Sequence, residues 1–539
     1  MTCPMECHCI SAVDLPHTTP LYSSYIQDFP SVARFYAQPP TVEQISRLAG
    51  QVTLDPALRR AVTDVLRAQN RVFGADAAVE ASLDRLSAGA PAIVTGQQVG
   101  LFTGPSYAIY KAVTALRLAT DLTAAGKPAV AIFWLATEDH DLAEVNHCYW
   151  PTRAEPERIE LPSQGIANRS VGSVLLGDAV LAQVERVGAM MEGPARNEIL
   201  QALAESYRPT ETYGSAFGKL MSRIFAGTGL LLLDPMSPEL HRLAAPVYRA
   251  ALEQHRELTK DLIERGKALE QAGYHAQVKV TEGSTLLFAN VDGQRLPLRA
   301  REGEFVLGQR TVSPTDVLKW LDESPEAFSP NALFRPVIQD SLLPTAAYCA
   351  GPAEVAYLGQ SSVVYERLGA RMPVIMPRAS FTLVDPHAGR HLRKYDLDLP
   401  DIFRGQGHLR AKMERVLLPA QLADRLKSSG EALRKLLADL REPMEKLDAT
   451  LVGALDTAEK KILYQFANLE GKAAHALAQR SEVLDAHERE VMGVLYPRGE
   501  LQERSLCFLP ALAAQGFALR DELVHRLVPG GAKHQVLYL

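Results

Sequence analysis

Residues 92–105 read AIVTGQQVGLFTGP, a short apolar run followed by a loop with three glycines and two adjacent glutamines. Gly96, Gly100 and Gly104 lie four residues apart, and the segment that follows has a helical pattern. The loop therefore joins a predicted strand to a predicted helix. It matches neither of the common phosphate-binding patterns, GxGxxG and GxxxxGK[ST]. Two explanations stay open: a ligand-binding loop, or a tight turn that needs glycine for packing alone.

Further apolar runs recur along the first 400 residues, separated by segments of helical pattern. Continuous apolar strands that alternate with helices are typical of a parallel sheet covered on both faces. We therefore predict an α/β core over residues 1–400, interrupted by insertions at 155–225 and 272–325. The first ninety residues are predicted to be mainly helical, and a single long helix is predicted at about 238–271. The first insertion contains a predicted polar hairpin near 155–182, and the second is strand-rich with a predicted hairpin turn at Asp292–Gly293. The apolar runs are AVAIFWLA at 129–136, GLLLLDP at 229–235, and shorter ones at 373–376 and 381–384.

The composition excludes several classes of protein. Of the 539 residues, 47% are hydrophobic and 22% are charged, as in an ordinary globular protein. The net charge of −6 argues against general nucleic-acid binding, which needs a basic face. No apolar run approaches the ~20 residues of a membrane helix, and the first residues lack a signal-peptide pattern. We expect a cytoplasmic protein that has no membrane or nucleic-acid partner.

Six cysteines in a chain of this length do not form a disulfide framework. Cys3, Cys7 and Cys9 lie close to His8, and thiolates with an imidazole can hold zinc. No second pair of cysteines with metal-ligand spacing follows them. The favoured explanation is therefore a chain terminus without a metal, and no redox cofactor is expected.

Residues 401–490 are rich in Leu, Ala, Glu, Lys and Arg, and they carry an eleven-residue apolar repeat. Such a repeat gives about 3.67 residues per turn, close to a straight α-helix. Pro443 suits a first helical turn, so we predict one long helix after it and a partner helix at 419–440. A coiled-coil pair that dimerises is preferred to two ordinary amphipathic helices, and residues 491–539 are predicted to return to the core. The repeat is formed by Leu440, Leu451 and Ile462; by Met444, Leu455 and Phe466; and by Leu447, Ala458 and Leu469.

The glycine loop has the chemistry of a ligand site. In a parallel sheet, ligands bind beyond the carboxyl ends of the strands, and this loop occupies that position. Gly96 and Gly104 would let the backbone approach a ligand, and Thr103 is expected to cap the following helix. The neutral amides of Gln97 and Gln98 suit a substrate with several hydroxyl groups. Lys111, two turns into the helix, can reach a carboxylate or a phosphate.

A second polar cluster, TEDHDLAEVNH, follows the strand at 129–136 and is predicted to lie at the same sheet edge. Adjacent Asp139, His140 and Asp141 can serve as general acid or base, as metal ligands or as acceptors for hydroxyl groups. The two carboxylates are expected to favour protonated His140. A plain helix-capping cluster is the alternative. Glu138, Asn146 and His147 are candidate substrate contacts in the same segment.

Two later segments can line the same crevice. Gly351–Pro352 opens a helix with Glu354 nearby, and the segment at 377–381 places Arg378 and Ser380 between apolar runs. A guanidinium in such surroundings needs a partner, and an ordinary internal salt bridge would supply one without any ligand. Arg335 and Asp340 are weaker candidates for the same crevice.

Five segments together resemble the bacillithiol-biosynthesis cysteine-adding enzymes. The resemblance runs in order from about residue 20 to the end, and the first two segments are the most specific. It implies a Rossmann-like core with connecting-peptide insertions, as in class I aminoacyl-tRNA synthetases, and a C-terminal coiled coil used for homodimerisation. The segments are TGQQVGLFTGPSYAIYKA, FWLATEDHDLAEVNH, RPVIQDSLLPTAAYCAGPAEVAYL, MPVIMPRASFTLVD and LYPRGELQERSLCFLP.

The resemblance also implies a reaction and its partners. The family joins L-cysteine through an amide to the amino group of glucosaminyl malate, the last step in making this low-molecular-weight thiol. A free carboxylate must be activated before it forms an amide, so ATP or ADP is an expected ligand, and Mg²⁺ could accompany it. The sugar amine must then lose a proton, a role for His140 or Asp141. Sugar hydroxyls would suit Gln97, Gln98 and Asp139, and malate carboxylates would suit Lys111 or Arg378.

The chain departs from class I synthetases because their His-x-Gly-His and Lys-Met-Ser-Lys-Ser motifs are absent. That absence argues against adenylate chemistry. A nucleotide could instead bind where YPRGELQER meets the core, through Arg498, Gln502 and Arg504. Two alternatives to a ligase stay open: a nucleotidyl or glycosyl transferase that uses the same crevice, and a coiled-coil scaffold that binds the sugar conjugate without catalysis.

Overall fold

The predicted parallel sheet is present and belongs to the first of two units. The structure is a computed structural model that describes residues 7–163, 168–479 and 481–539. The first unit comprises Met1–Trp150, Glu157–Thr382 and Glu503–Leu537. The second comprises Pro151–Pro156, Leu383–Gln502 and Tyr538–Leu539. Cys3, part of the cysteine cluster, lies outside the described residues, and Cys7 and Cys9 are exposed free thiols.

The first ninety residues are mainly helical, as predicted. Asp55 caps one helix by accepting hydrogen bonds from two backbone N–H groups, and Gly74 ends that helix with a φ of 102°. The elements are β1 (Cys7–Ser11), α1 (Pro20–Gln27), α2 (Phe29–Val32), α3 (Val42–Ala49), α4 (Pro56–Phe73) and α5 (Ala77–Ser87).

Strands and helices then alternate. The polar hairpin expected near 155–182 begins earlier, because His147–Trp150 pairs antiparallel with Glu157–Glu160. Part of that prediction, residues 164–167, lies outside the described residues. The elements are β2 (Ala92–Gln97), α6 (Tyr107–Ala124), β3 (Val130–Leu135), α7 (Leu142–Val145), β4 (His147–Trp150), β5 (Glu157–Glu160), α8 (Ala179–Met190), α9 (Arg196–Ser206), α10 (Tyr213–Ile224) and β6 (Leu231–Leu233).

A second, antiparallel sheet of five strands follows two helices. The single long helix expected at 238–271 is wrong, since the chain leaves helical geometry at Gln254. The predicted turn is confirmed: Asp292 and Gly293 have φ of 53° and 78°, the geometry of a tight hairpin. The elements are α11 (Pro238–Glu253), α12 (His255–Gln271), β7 (Ser284–Val291), β8 (Gln294–Arg301), β9 (Glu304–Leu307), β10 (Arg310–Val312), α13 (Pro314–Glu323) and β11 (Phe328–Pro330).

The chain then returns to the parallel sheet on its other side. The strand order of the sheet is β13 (Val374–Pro377), β12 (Thr345–Ala350), β2, β3 and β6. The chain first adds β3 and β6 on one side of β2, and it later adds β12 and β13 on the other side. The switch point therefore lies between β2 and β12, where loops diverge and a crevice opens. The added elements are α14 (Arg335–Leu342), β12 (Thr345–Ala350), α15 (Pro352–Arg367) and β13 (Val374–Pro377). The next strand, β14 (Ser380–Val384), is not part of the parallel sheet.

The second unit is helical, and its two longest helices form a hairpin. The prediction that a helix begins at Pro443 is wrong, because Pro443 lies inside a helix that ends at Leu447. The break comes at Asp448, whose carboxylate accepts a 2.8 Å hydrogen bond from the backbone N–H of Thr450. The helices are α16 (Pro386–Lys394), α17 (Leu399–Phe403), α18 (Gln406–Val416), α19 (Ala420–Leu447), α20 (Thr450–Ala478) and α21 (Glu482–Leu495).

The last residues belong largely to the first unit. Residues 533–537 pair antiparallel with β1. None of the helices in the described parts of the chain is both long enough and apolar enough to span a bilayer. The final elements are α22 (Gln502–Ser505), α23 (Leu509–Gln515), α24 (Ala518–Arg526) and β15 (Lys533–Tyr538).

Candidate active site

A cavity of about 670 Å³ opens at the carboxyl ends of the parallel strands, inside the first unit. Residues directly after β2, β3 and β12 line it, together with residues of β7 and β8 from the antiparallel sheet. The volume lies within the range that binds small molecules and cofactors. The cavity therefore occupies the position where parallel α/β folds place their ligands.

Lys111 and Glu354 bridge the switch point of the sheet. Their side chains form a close ion pair, and only 3% of the Lys111 side chain is exposed. The Lys111 ammonium also donates to Gly96 O at 2.7 Å and to Gln97 Oε1 at 2.8 Å. Burial lowers the pKa of Lys111 although the Glu354 carboxylate opposes this. Burial alone would raise the pKa of Glu354, but the Lys111 ammonium outweighs it and holds that pKa below its usual range.

A guanidinium and two phenols complete this side of the cavity. Arg335 Nη2 donates to Tyr348 Oη at 3.0 Å, and Tyr348 Oη donates in turn to Glu354 Oε1 at 2.7 Å. Tyr357 Oη lies 3.5 Å from both the Arg335 Nη2 and Glu354 Oε1 atoms. Each polar group of this network is tied to another, so the cavity wall is held in one arrangement.

Basic side chains outnumber carboxylates around the cavity. Seven Lys or Arg residues line it, against three Asp or Glu residues. A cavity with an excess of basic side chains attracts carboxylates and phosphates. The basic residues are Lys111, Lys279, Arg295, Arg299, Arg335, Arg378 and Arg504, and the acidic ones are Glu138, Asp139 and Glu354.

Glu138 is a buried carboxyl group on the opposite wall. Burial raises its pKa to about 7, while the Arg295 guanidinium opposes the rise. Its Oε1 accepts no hydrogen bond from the residues that the structure describes. His241 Nε2 lies 3.5 Å away, but burial lowers the pKa of His241 to about 4, so the imidazole is neutral. Glu138 is thus a carboxyl group that gains and loses a proton near neutral pH.

His140 is not held protonated, and that prediction is wrong. Arg295 Nη1 donates to His140 Nδ1 at 2.9 Å. Because a guanidinium can only donate, Nδ1 must be an acceptor, and the neutral ring carries its proton on Nε2. Burial and the Arg295 guanidinium lower the pKa of His140 and outweigh the carboxylates of Asp139 and Asp141. His140 is therefore suited to donate a hydrogen bond rather than to take up a proton.

Gln98 and Asp139 both line the cavity, and their side chains are hydrogen-bonded to each other. Gln98 Nε2 donates to Asp139 Oδ2 at 2.6 Å and to Glu144 Oε2 at 2.5 Å. Asp139 Oδ1 accepts from the backbone N–H of His140 at 2.7 Å. Asp141 instead caps α7 by accepting from the Glu144 N–H at 3.3 Å. The acidic cluster thus divides into a cavity residue, Asp139, and a helix cap, Asp141.

The glycines of the opening loop are required by packing. A Cβ on Gly96 would lie 2.8 Å from Trp134 O on the neighbouring strand, and one on Gly100 would lie 2.9 Å from Gly104 Cα. The prediction that Thr103 caps the next helix is wrong. Thr103 has a φ of 76°, and α6 begins at Tyr107 without a side-chain cap. The loop folds so tightly that two residues, Phe102 and Thr103, adopt left-handed conformations that side chains disfavour.

The structure brings about half of the predicted site residues together. Thr103 and His147 line a smaller neighbouring cavity of about 290 Å³, which also contacts Gln97 and Gln98. Gly104 supplies a turn with a φ of 64° and lines neither cavity. The residues in the main cavity are Gly96, Gln97, Gln98, Lys111, Glu138, Asp139, His140, Arg378 and Arg504.

Four other candidates have local structural roles away from the main cavity. Asn146 Nδ2 donates to Leu161 O at 2.9 Å. Ser380 donates to the buried Glu503 at 2.9 Å. In the second unit, Gln502 bonds the backbone of Leu383, and Arg498 lies in a short turn with a φ of 59°. Arg504, in the first unit, is the member of the proposed nucleotide contacts that reaches the main cavity.

Sequence patterns missed the contribution of the antiparallel sheet. Arg295 and Arg299 on β8 reach the cavity, as does Lys279 before β7. Arg295 is fixed by Ser329 Oγ at 2.8 Å and Pro330 O at 2.7 Å, and its guanidinium stacks 3.8 Å from the Phe288 ring. Strand β8 carries several arginines, and its sequence does not indicate which of them faces the cavity. Tyr348 lies inside an apolar strand, and the sequence does not indicate that its side chain faces the cavity either.

Comparisons with known proteins agree with this architecture. Residues 5–379 match the family model described as the bacillithiol biosynthesis BshC N-terminal Rossmann-like domain, and residues 381–539 match the BshC C-terminal coiled-coil domain. The predicted Rossmann-like α/β core and the coiled coil are thereby confirmed.

Relatives of similar length support the same assignment. A protein of Koribacter versatilis is 40% identical over 96% of this chain and 97% of its own. Proteins of Solibacter usitatus and Salinibacter ruber are 36% and 34% identical, over 99% and 96% of this chain and 100% and 96% of their own. All three carry the name "Putative cysteine ligase BshC". The chain therefore belongs to the BshC family of bacillithiol biosynthesis.

Proposed function

We propose that the chain is a ligase that forms an amide between L-cysteine and the amino group of glucosaminyl malate. The name carried by its relatives supports a cysteine ligase. The observation that carries the proposal is Glu138, a buried carboxyl group with a pKa of about 7 in a cavity with an excess of basic side chains. Such a cavity suits a substrate that brings both carboxylates and an amine.

The cavity walls provide matching groups for the substrate. Malate has two carboxylates, which suit the basic residues Arg295 and Arg299. The sugar hydroxyls suit the amides of Gln97 and Gln98 at the mouth. A nucleotidyl or glycosyl transferase would need similar contacts, but it would not need a base for an amine.

Glu138 is the proposed general base. An ammonium group cannot attack a carbonyl carbon until it loses a proton, and a carboxylate whose pKa is close to 7 accepts that proton near neutral pH. Neutral His140 would donate its Nε2–H to the oxygen on which negative charge develops. The Arg295 guanidinium keeps His140 in this tautomer through the bond to Nδ1.

We propose ATP as the activating nucleotide. Its phosphates would be held by Arg335 and Arg504, which line the cavity. When bound, ATP supplies the phosphoryl or adenylyl group that turns the cysteine carboxylate into an acylating agent. Asp139 is the half-buried carboxylate proposed to hold an accompanying Mg²⁺.

The proposal is tested by incubating the purified chain with glucosaminyl malate, isotopically labelled L-cysteine and Mg-ATP. Mass spectrometry is expected to find a labelled conjugate lighter than the two substrates together by one water. A Glu323→Gln variant, which alters an exposed carboxylate that does not line the cavity, should make the same product. If the folded chain makes no conjugate with ATP present, the proposed ligase is refuted and the non-catalytic scaffold is favoured.

The protonation of Glu138 can be measured directly. Its raised pKa predicts a protonated carboxyl group at pH 6 that ionises as the pH passes through about 7. Because the base must be ionised, the rate of amide formation should rise over the same interval. Infrared difference spectra of the wild type minus Glu138→Gln should show a carboxyl band that disappears near pH 7. A band already absent at pH 6 would contradict the assignment.

A homodimer through the coiled coil is also proposed. In the single chain, 63% of Leu436, 80% of Leu447 and 57% of Leu469 is exposed on α19 and α20, which leaves an apolar surface for a second copy. We expect Leu436→Glu with Leu469→Glu to convert the dimer to a monomer in analytical ultracentrifugation. Leu181→Glu, at a similarly exposed leucine of α8, is the matched control and should stay dimeric. A wild-type monomer, or a dimeric double variant, would rule out this interface.

A further inference from the structure

Two imidazoles and a carboxylate form a group in the second unit that shares no residue with the cavity. His387 and His391 stand one turn apart on α16 and so share a helix face. Glu490 projects from α21, which packs against α16. One possible ligand atom from each of the three residues lies within 4.8 Å of the others. Within the described parts of the chain, it is the one group of three or more such residues that meets this geometry.

The distances are close to those of a bound metal ion. His391 Nε2 lies 2.7 Å from Glu490 Oε2, and His387 Nδ1 lies 3.4 Å from the same oxygen. Ligands about 2.0–2.1 Å from a tetrahedral zinc ion are separated by roughly 3.4 Å. Moving His391 Nε2 and Glu490 Oε2 apart by about 0.7 Å would give this separation.

Neighbouring side chains hold the His391 imidazole in place. The His391 side chain is 8% exposed, and its ring stacks on His487 with centroids 4.0 Å apart. His487 is held in turn by a 2.7 Å hydrogen bond between its Nδ1 and Tyr395 Oη. The outer ligand, His387, is 44% exposed at its side chain, so an ion can reach the group from solvent.

Ordinary histidine–carboxylate pairs in the same unit look different. His408 pairs with Asp401 at 3.4 Å, and His475 pairs with Glu414 at 3.1 Å. Neither pair forms part of a group of three ligands in the described residues. A surface ion pair needs one imidazole, whereas the group on α16 and α21 brings two imidazoles to one carboxylate oxygen. That convergence is the pattern of a metal site with two nitrogen ligands and one oxygen ligand.

We propose that His387, His391 and Glu490 form a site for a divalent transition-metal ion, with Zn²⁺ as its ligand. Two imidazole nitrogens and one carboxylate oxygen suit zinc better than calcium or magnesium, which prefer oxygen ligands. Three protein ligands leave a fourth position to water. Binding replaces the direct contact between His391 Nε2 and Glu490 Oε2 and ties α16 to α21. The ion thus stabilises the helical unit and takes no part in the amide-forming reaction.

The test uses the full chain with Cys3, Cys7 and Cys9 replaced by serine, because those thiols could bind zinc themselves. After zinc loading and gel filtration, elemental analysis is expected to find about one ion per chain. Zn²⁺ should raise the melting temperature, because it binds the folded state. Co²⁺ in its place should give the visible absorption of a four-coordinate site. His387→Ala and Glu490→Gln should each lose the ion and the temperature shift.

His475→Ala is the matched control, since it removes an exposed imidazole paired with a carboxylate in the same unit. It should keep both the ion and the temperature shift. The His387 side chain is 44% exposed, so its variant is expected to fold and to stay informative even if a variant at buried His391 does not fold. Absence of zinc from the parent chain, or zinc binding that survives both His387→Ala and Glu490→Gln, would overturn the proposal.

Discussion

Replacing Glu138 by glutamine is expected to lower the rate of amide formation by about 10²–10⁴-fold, the usual contribution of a general base. Glutamine keeps the size of the side chain but cannot accept a proton from the sugar amine. Substrate binding should change little, because the basic residues that are proposed to hold the carboxylates remain in place. The measurement is kcat for conjugate formation at pH 8, where wild-type Glu138 is ionised.

The fold should tolerate this change. The pKa of Glu138 is about 7 when folded, well above the ordinary value of 4.5. When the pH lies between these two pKa values, Glu138 is protonated in the folded state and ionised in the unfolded state. The free energy of unfolding of the wild type therefore falls as the pH rises through this range. The neutral amide does not ionise. Glu138→Gln should therefore unfold at an equal or higher temperature than the wild type at pH 8.

Two outcomes would contradict the role of Glu138. Full activity in a well-folded Glu138→Gln variant would exclude it as the base. Loss of activity together with a lower melting temperature would show that its contribution is structural. His140→Gln offers a comparison, because glutamine also donates a hydrogen bond and is expected to retain more activity than Glu138→Gln.

Removing the guanidinium of Arg378 is expected to destabilise the fold by about 3–5 kcal/mol, the usual cost of breaking a buried ion pair. Arg378 Nη2 lies 2.7 Å from Glu503 Oε1, and the two side chains are 5% and 2% exposed. In Arg378→Met, the Glu503 carboxylate would stay buried without its guanidinium. Its remaining hydrogen bonds, from Ser380 and from the Phe381 N–H, cannot replace the lost charge.

Urea unfolding of Arg378→Met and of the double variant Arg378→Met with Glu503→Gln tests this explanation. The double variant should recover part of the lost stability, because it no longer buries an unpaired charge. Burial would raise the pKa of Glu503, but Arg378 holds it below its usual range. The pair therefore stabilises the fold above the ordinary carboxyl pKa, and this contribution is lost as the pH falls. A single variant as stable as the wild type would contradict the account.

Much of the fold was predictable because its signals are local. The runs at 92–96 and 130–135 are buried at every residue, which is what a sheet covered on both faces requires. The Asp292–Gly293 turn was predictable for a similar reason, since tight hairpins need residues that tolerate positive φ. The helix break at Asp448 was missed because the apolar repeat continues across it and hides the capping residue.

The site was only partly predictable, because its electrostatics depend on distant parts of the chain. The sequence places two carboxylates beside His140, and they favour a protonated ring. The fold adds the Arg295 guanidinium, 155 residues away, and that contact lowers the pKa of His140 instead. Glu138 shows the same dependence, since burial in the folded chain is the largest cause of its raised pKa. No spacing rule reports which of two adjacent carboxylates turns inward.

Transfer of oxygen from the cysteine carboxylate to phosphate tests the central claim most directly. The chain would be incubated with glucosaminyl malate, Mg-ATP and L-cysteine that carries ¹⁸O in both carboxylate oxygens. An ATP-driven amide synthesis must leave one ¹⁸O in the amide carbonyl and pass the other to the phosphoryl product. We predict one labelled oxygen in phosphate or AMP for each conjugate formed. Conjugate without label in either product, or no conjugate at all, would contradict an ATP-dependent cysteine ligase.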